Sequence, residues 1–296
     1  VASSPRPVDL AQAALAPFLV GAGVAVSGLL VGYPALLSQG GRYLIGALVL
    51  ALVFRRRVLP PQWPHGRALG LLAADVVIGL GLFSVASIEA LRGGTAAGVG
   101  VIVDFAPVVI ALGHTLLSHT RLRAGLLIGT VVATAGAVLV NGAGHLSIGG
   151  LAWALTALVC DASFTLLSAP LIDAVGILPL TFLTAGAAGL GLLILGLVLG
   201  PAPSAPTLTE VVADLAVALG VTVGAFLLWF RGLAAVGVPQ AAPMVALIPV
   251  GAFLGGVALD TTPLSVRAGV GVLVVALGIV IAQRSSSRHA DDLSTA

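Results

Sequence analysis

The chain is 296 residues long, 59% hydrophobic and only 8% charged, with a mean hydropathy of +1.17. So little polar surface cannot coat a water-soluble globule, which excludes a soluble enzyme or cytosolic binding module and points to a lipid bilayer. The net charge of +2 rests on 13 arginines with no lysine, set between apolar runs where they orient helices, so nucleic acid is excluded as a partner.

From the amino terminus, apolar runs of bilayer length fall at residues 10–31, 34–54, 68–88, 95–117 and 123–141, then at 148–169, 176–199, 210–230, 238–259 and 265–283. The first run follows Arg6 and ends near Ala25-Val26-Ser27, the outline of a cleavable signal. About twenty apolar residues exceed a signal core, and the run reads as a retained helix. The breaks carry turn chemistry: Arg55-Arg56-Arg57 with Pro60-Pro61, Asn141-Gly142, and Pro201-Ala202-Pro203-Ser204. Residues 285–296 are polar and read as a disordered cytoplasmic tail. The single cysteine, Cys160, permits no intramolecular disulfide and reads as a small apolar packer.

Residues 91–140 recur without a gap 142 places later: Leu91 with Leu233, Pro107 with Pro249, Gly113 with Gly255, Leu122 with Leu264, Gly129 with Gly271 and Gly136 with Gly278. A period of half the chain in apolar sequence indicates two related halves, residues 1–142 and 143–284, of five spans each. The expected fold is all-α and integral to the membrane, with ten transmembrane helices. Arg6, Arg55, Arg56, Arg57, Arg67, Arg121, Arg123, Arg231, Arg284 and Arg288 flank one side, against Arg92 and Arg267 on the other. This bias places both termini in the cytoplasm of the cell (inner or plasma) membrane. Because five is odd, the second repeat enters the membrane inverted, the arrangement that underlies alternating access.

In the fourth run Gly93, Ala97, Gly100, Asp104, Pro107, Ala111, His114 and Ser118 share one helical stripe, and Ile102, Phe105, Val109, Leu112 and Leu116 lie opposite. The small and polar stripe suits a protein interior, and the other face suits lipid. Pro107 and Pro249 each remove a helical hydrogen bond, freeing the carbonyls of Val103 and Val245. They are candidate hinges; passive kinks are the competing reading.

Intramembrane charge needs a partner, water or a function, since centring one costs about 2.5–3.5 kcal/mol on insertion scales. Arg42 and Asp104 are expected at similar depth and form the first candidate pair, for substrate binding or as a structural salt bridge, with Asp75 as another possible partner of Arg42. Asp161 shares one helix side with Trp153, Ala157, Phe164, Thr165 and Ser168. An acid beside Trp153 and Phe164 suits an organic cation or an ammonium group and is the candidate carrier of a coupling proton, the alternative being a hydrogen bond from Thr165. Tyr43 and Trp229, near run ends, read as interfacial anchors.

Arg42-Tyr43-Leu44-Ile45-Gly46-Ala47 after Pro34, Glu89-Ala90-Leu91 leading to Pro107, then Leu122, Gly129 and Gly136, resemble the EamA repeat of the drug/metabolite transporter superfamily, and Pro249, Leu264, Gly271 and Gly278 repeat it. The resemblance covers nearly the whole chain. It implies a ten-helix carrier that moves small metabolites, most often outward. Thr120 and Thr262 stand where that family often has Glu. The expected function is therefore a secondary transporter exporting small metabolites such as amino acids by alternating access. An organic-cation exporter and a structural membrane protein or channel are the alternatives. No metalloprotease, phosphate-loop or intramembrane-protease motif occurs, so no enzyme activity, metal or cofactor is expected.

Overall fold

The computed structural model describes residues 6–30, 32–120, 124–201 and 205–294, with side chains up to 285. Nine helical segments among these residues are long and apolar enough to cross a bilayer: α1 Pro7–Leu30, α2 Ala35–Val58, α3 Arg67–Arg92, α4 Ala96–Ser118, α5 Ala124–Asn141, α6 Ile148–Val175, α7 Ile177–Leu199, α8 Leu208–Ala258 and α9 Val266–Ser285. The last helix continues to Ser294. No strand forms among the described residues, where the one pairing of strand type is the isolated bridge between Gly94 and Leu146. Arg121, Leu122, Arg123, Ala202, Pro203 and Ser204, on which parts of the orientation, repeat and turn readings rest, lie outside the described residues, as does the side chain of Arg288.

The 51 residues of α8 would make a continuous rod of about 75 Å, more than twice the ~30 Å hydrocarbon layer. Gly237, at φ 76 and ψ 163, breaks it, a conformation open to glycine, and Pro239 follows. The break falls between the two runs read from sequence at 210–230 and 238–259. Two further irregularities are duplicated. A π turn spans Asp75–Leu82 in α3 and another spans Ala218–Ala225 in α8. Ahead of the repeated prolines, Asp104 (φ −60, ψ −14) and Phe105 (φ −76, ψ −4) match Ala246 (φ −60, ψ −7) and Leu247 (φ −79, ψ −10). A proline ring clashes with the carbonyl four residues back, and in both copies the chain turns more tightly just there to clear it.

Packing follows the small residues. Helices in lipid gain little from hiding apolar surface and associate where backbones can approach. Thus α5 lies along α9 and α2 along α7, while α1 packs on both arms of α8 and α6 packs on α3 and α4. Exchanging the halves turns α1 into α6 and the arms of α8 into α3 and α4, so this contact plan maps onto itself. Gly129 and Gly136 of α5 meet Gly278 and Gly271 of α9 in antiparallel order. Buried Thr130 and Thr184 donate to the carbonyls of Leu126 and Leu180 one turn back, both at 2.8 Å, which satisfies their hydroxyls without water. The α4 stripe follows its pattern in part: Asp104, Pro107 and Ala111 are buried and Phe105, Leu112 and Leu116 are 45%, 50% and 76% exposed, but Ile102 and Val109, expected to face lipid, pack against the core, and Ser118 is exposed.

Candidate functional site

Four aromatic rings converge where α2, α6 and α8 meet. Phe164 lies 5.4 Å from Phe226 and 5.7 Å from Phe230 between ring centroids, and Tyr43 lies 6.3 Å from Phe226, the separations of tilted aromatic contacts. Tyr43 and Trp229, expected at a membrane interface, are instead core residues, 1% and 7% exposed. Tyr43 can be buried because its neighbour serves its polar end. Arg42 Nη2 donates to Tyr43 Oη at 3.0 Å, and the guanidinium carbon stands 4.5 Å from the ring centroid.

A cleft of about 350 Å³, whose lining includes none of these four rings, opens between α2, α7 and α8, walled in part by Tyr33, Gly41, Leu193, Glu210 and Asp214. Ser38 Oγ donates to Asp214 Oδ1 at 2.8 Å, and Arg42 lies near enough for its charge to attract the same carboxylate. Gly41 keeps the space open, since a Cβ there would stand 3.4 Å from Asp214 Oδ2. Arg42 Nε is buried without a hydrogen-bond partner. Nearer the start of α8, Glu210 closes a capping box: the Thr207 amide donates to Glu210 Oε2 at 2.7 Å, and the Glu210 amide to Thr207 Oγ1 at 3.3 Å.

Arg42 and Asp104 do not pair. Asp104 is 8% exposed and accepts from Asn141 Nδ2 at 2.8 Å, within its own half. The physical reason lies in the packing: α2 runs along α7 and α8, which takes Arg42 to Asp214 rather than to α4. Asp161 is half-buried, and its Oδ2 is enclosed without a hydrogen-bond partner. Phe164 belongs to the aromatic cluster, but Trp153 is 37% exposed, so the two aromatics grouped with Asp161 do not converge. Pro107 and Pro249 are both buried, each just after its tight turn. Asp75, 0% exposed, accepts from Ser168 Oγ of α6 at 3.0 Å. A larger cleft of about 540 Å³ lies between α4, α5 and the start of α9, lined by Val101, Ile102, Leu139, Leu146 and Arg267 among others.

Sequence reasoning missed Asp214, Ser38, Phe226 and Phe230. Asp214 lies inside the run at 210–230, where the scarcity of charge is a signal that could have found it, and Ser38 lies one helical turn before Arg42. The meeting of the phenylalanines depends on how three helices cross, which no local pattern specifies.

The model of the EamA-like transporter family matches residues 10–142 and 148–283. No curated protein matches the chain. Among solved structures, one described only as the crystal structure of a protein is similar with a TM-score of 0.80 and 20% identity, covering 94% of this chain and 98% of its own. At that identity the likeness speaks for the fold alone.

Proposed function

The chain belongs to the EamA-like transporter family and is a multi-pass membrane transporter, and we propose that it is a secondary carrier exporting a small zwitterionic or amphipathic metabolite, such as an amino acid, by alternating access. The observation that carries this reading is a cleft walled by Asp214 of the second half and by Gly41 of the first, with Arg42, the next residue along, close enough for its charge to act on the Asp214 carboxylate. Opposite charges offer one end to a carboxylate and the other to an ammonium group, and Leu37, Ile45 and Leu193 of the cleft wall take the apolar part. When the cleft is empty the two charges attract each other, so loading exchanges one set of contacts for another.

Ten crossings follow if α8 counts as two on either side of Gly237, in inverted halves 1–142 and 143–284. The antiparallel glycine pairing of α5 with α9 supports inversion, since halves related by an axis along the membrane normal would bring these helices together parallel. The arginine bias supports cytoplasmic termini in the cell membrane.

A second reading, export of organic cations, is favoured by the two acids Glu210 and Asp214 on the cleft wall. Counterflow in proteoliposomes against pooled amino acids and pooled quaternary amines separates the readings. We expect amino-acid counterflow that falls at least about tenfold in both Arg42→Ala and Asp214→Asn. Amine counterflow that survives Arg42→Ala and dies in Asp214→Asn supports the second reading. Conductance without saturable counterflow makes the protein a channel.

A further inference from the structure

The π turns of α3 and α8 occupy equivalent places in the two halves, yet Asp75 opens one and Ala218 opens the other. The turn therefore forms without an acid, and Asp75 is not needed to make it. Its carboxyl is 0% exposed and its contact crosses between the halves: Oδ2 accepts from Ser168 of α6 at 3.0 Å, while Oδ1 has no hydrogen-bond partner. Gly79, one turn on, borders that oxygen, and a Cβ there would stand 3.0 Å from Oδ1 and 3.1 Å from the Phe164 backbone.

Among the described residues no cation pairs with the carboxyl. Of the elements packed against this turn, α7 contains no titratable residue, and α6 brings Cys160, Asp161 and Asp173. On α3 itself the charged residues are Arg67, Glu89 and Arg92, and Arg92 is paired with Glu89. On α2, which touches α3 beyond the turn, Arg42 donates to Tyr43 and acts on Asp214 through its charge. An ionised carboxylate sealed from water with a single neutral donor is far costlier than the acid form.

We propose that Asp75 is a reversible proton-binding site, loaded while α3 and α6 close on it and emptied when the halves part. Parting withdraws Ser168 and admits water; the carboxyl O–H bond breaks, its electron pair stays on the oxygen, and the proton passes to water. The use of this proton in transport rests on the carrier reading, but its binding does not.

Infrared difference spectroscopy of the full chain in lipid nanodiscs, titrated from about pH 5 to pH 10, tests the site. The expected result is a protonated-carboxyl C=O band that titrates reversibly and shifts in deuterium oxide. It is lost in Asp75→Asn, retained in Asp161→Asn, and moved in frequency by Asp75→Glu and by Ser168→Ala, which removes the hydrogen bond to the carboxyl. A band that persists in Asp75→Asn overturns the proposal, as does one that neither titrates nor exchanges deuterium. Should Asp75→Asn fail to fold, an unmoved band in both Asp75→Glu and Ser168→Ala overturns it equally. The readout needs no substrate, so a failed counterflow assay leaves the proton site standing, and an absent band leaves the carrier reading intact.

Discussion

Gly136 of α5 and Gly271 of α9 press backbone on backbone: a Cβ on either would stand 2.8 Å from the carbonyl oxygen of the other. The same reciprocity holds at 2.7 Å for Gly129 and Gly278. A methyl group at any of these four positions forces the helices apart, and overpacking of this kind costs about 1–3 kcal/mol. We expect Gly136→Ala and Gly271→Ala each to lower the unfolding temperature in nanodiscs. Gly269→Ala, with open space where its Cβ would go, is expected to be neutral or slightly stabilising.

Arg42 interacts with Asp214 and not with Asp104, and a double-mutant cycle reads that choice. Thermal stabilities of Arg42→Ala and Asp104→Ala are expected to add within about 0.5 kcal/mol, whereas Arg42→Ala with Asp214→Ala should show a coupling of roughly 0.5–3 kcal/mol. Coupling between Arg42 and Asp104 larger than that between Arg42 and Asp214 would reverse the assignment.

Replacing Pro107 or Pro249 by alanine restores a backbone donor facing Val103 or Val245. One added hydrogen bond is worth about 1 kcal/mol net, enough to bias an equilibrium roughly fivefold. Each single variant is expected to express as well as wild type and to exchange substrate several-fold more slowly. Wild-type exchange rates in both would reduce the prolines to passive kinks.

Orientation is tested by thiol labelling in a Cys160→Ala background. Ala143 and Gln62 are both exposed in connections on opposite faces of the proposed topology. A membrane-impermeant reagent added to intact cells should label Ala143→Cys and spare Gln62→Cys. The opposite pattern turns the molecule over.

Thr222, in the second π turn, is 0% exposed and its hydroxyl has no hydrogen-bond partner. A buried polar group left unpaired is destabilising, so Thr222→Val is expected to raise stability by about 1 kcal/mol in the same melting experiment. A lower melting temperature would mean that the hydroxyl has an acceptor.

Much of this architecture is written in short-range pattern. Apolar runs announce the crossings, the spacing of Asp104, Pro107 and Ala111 announces which side of α4 is buried, and the repeated Gly129, Gly136, Gly271 and Gly278 mark where two helices touch. The π turns are not announced, because widening a helix by part of a residue leaves composition and hydropathy unchanged. The partner of Arg42 was also hidden. Depth along a helix axis can be counted from sequence, and that count sets Arg42 and Asp104 level, yet the two do not share a neighbourhood. Direction around the bundle depends on α2 lying along α7.

At Gly237 the two arms of α8 meet with no loop between them, helix running into helix at Val236 and Val238. The backbone carbonyl of Gln240, just past the joint, is held by the side-chain amide of Gln283 at 2.8 Å, which ties the elbow to α9. A connection of one residue has no slack to absorb displacement: the φ and ψ of Gly237 can change the angle between the arms, but the two ends that meet there can only be displaced together. Lengthening the elbow by a few flexible residues would let each arm shift without the other, while the Gln283 contact would still hold the second arm to α9.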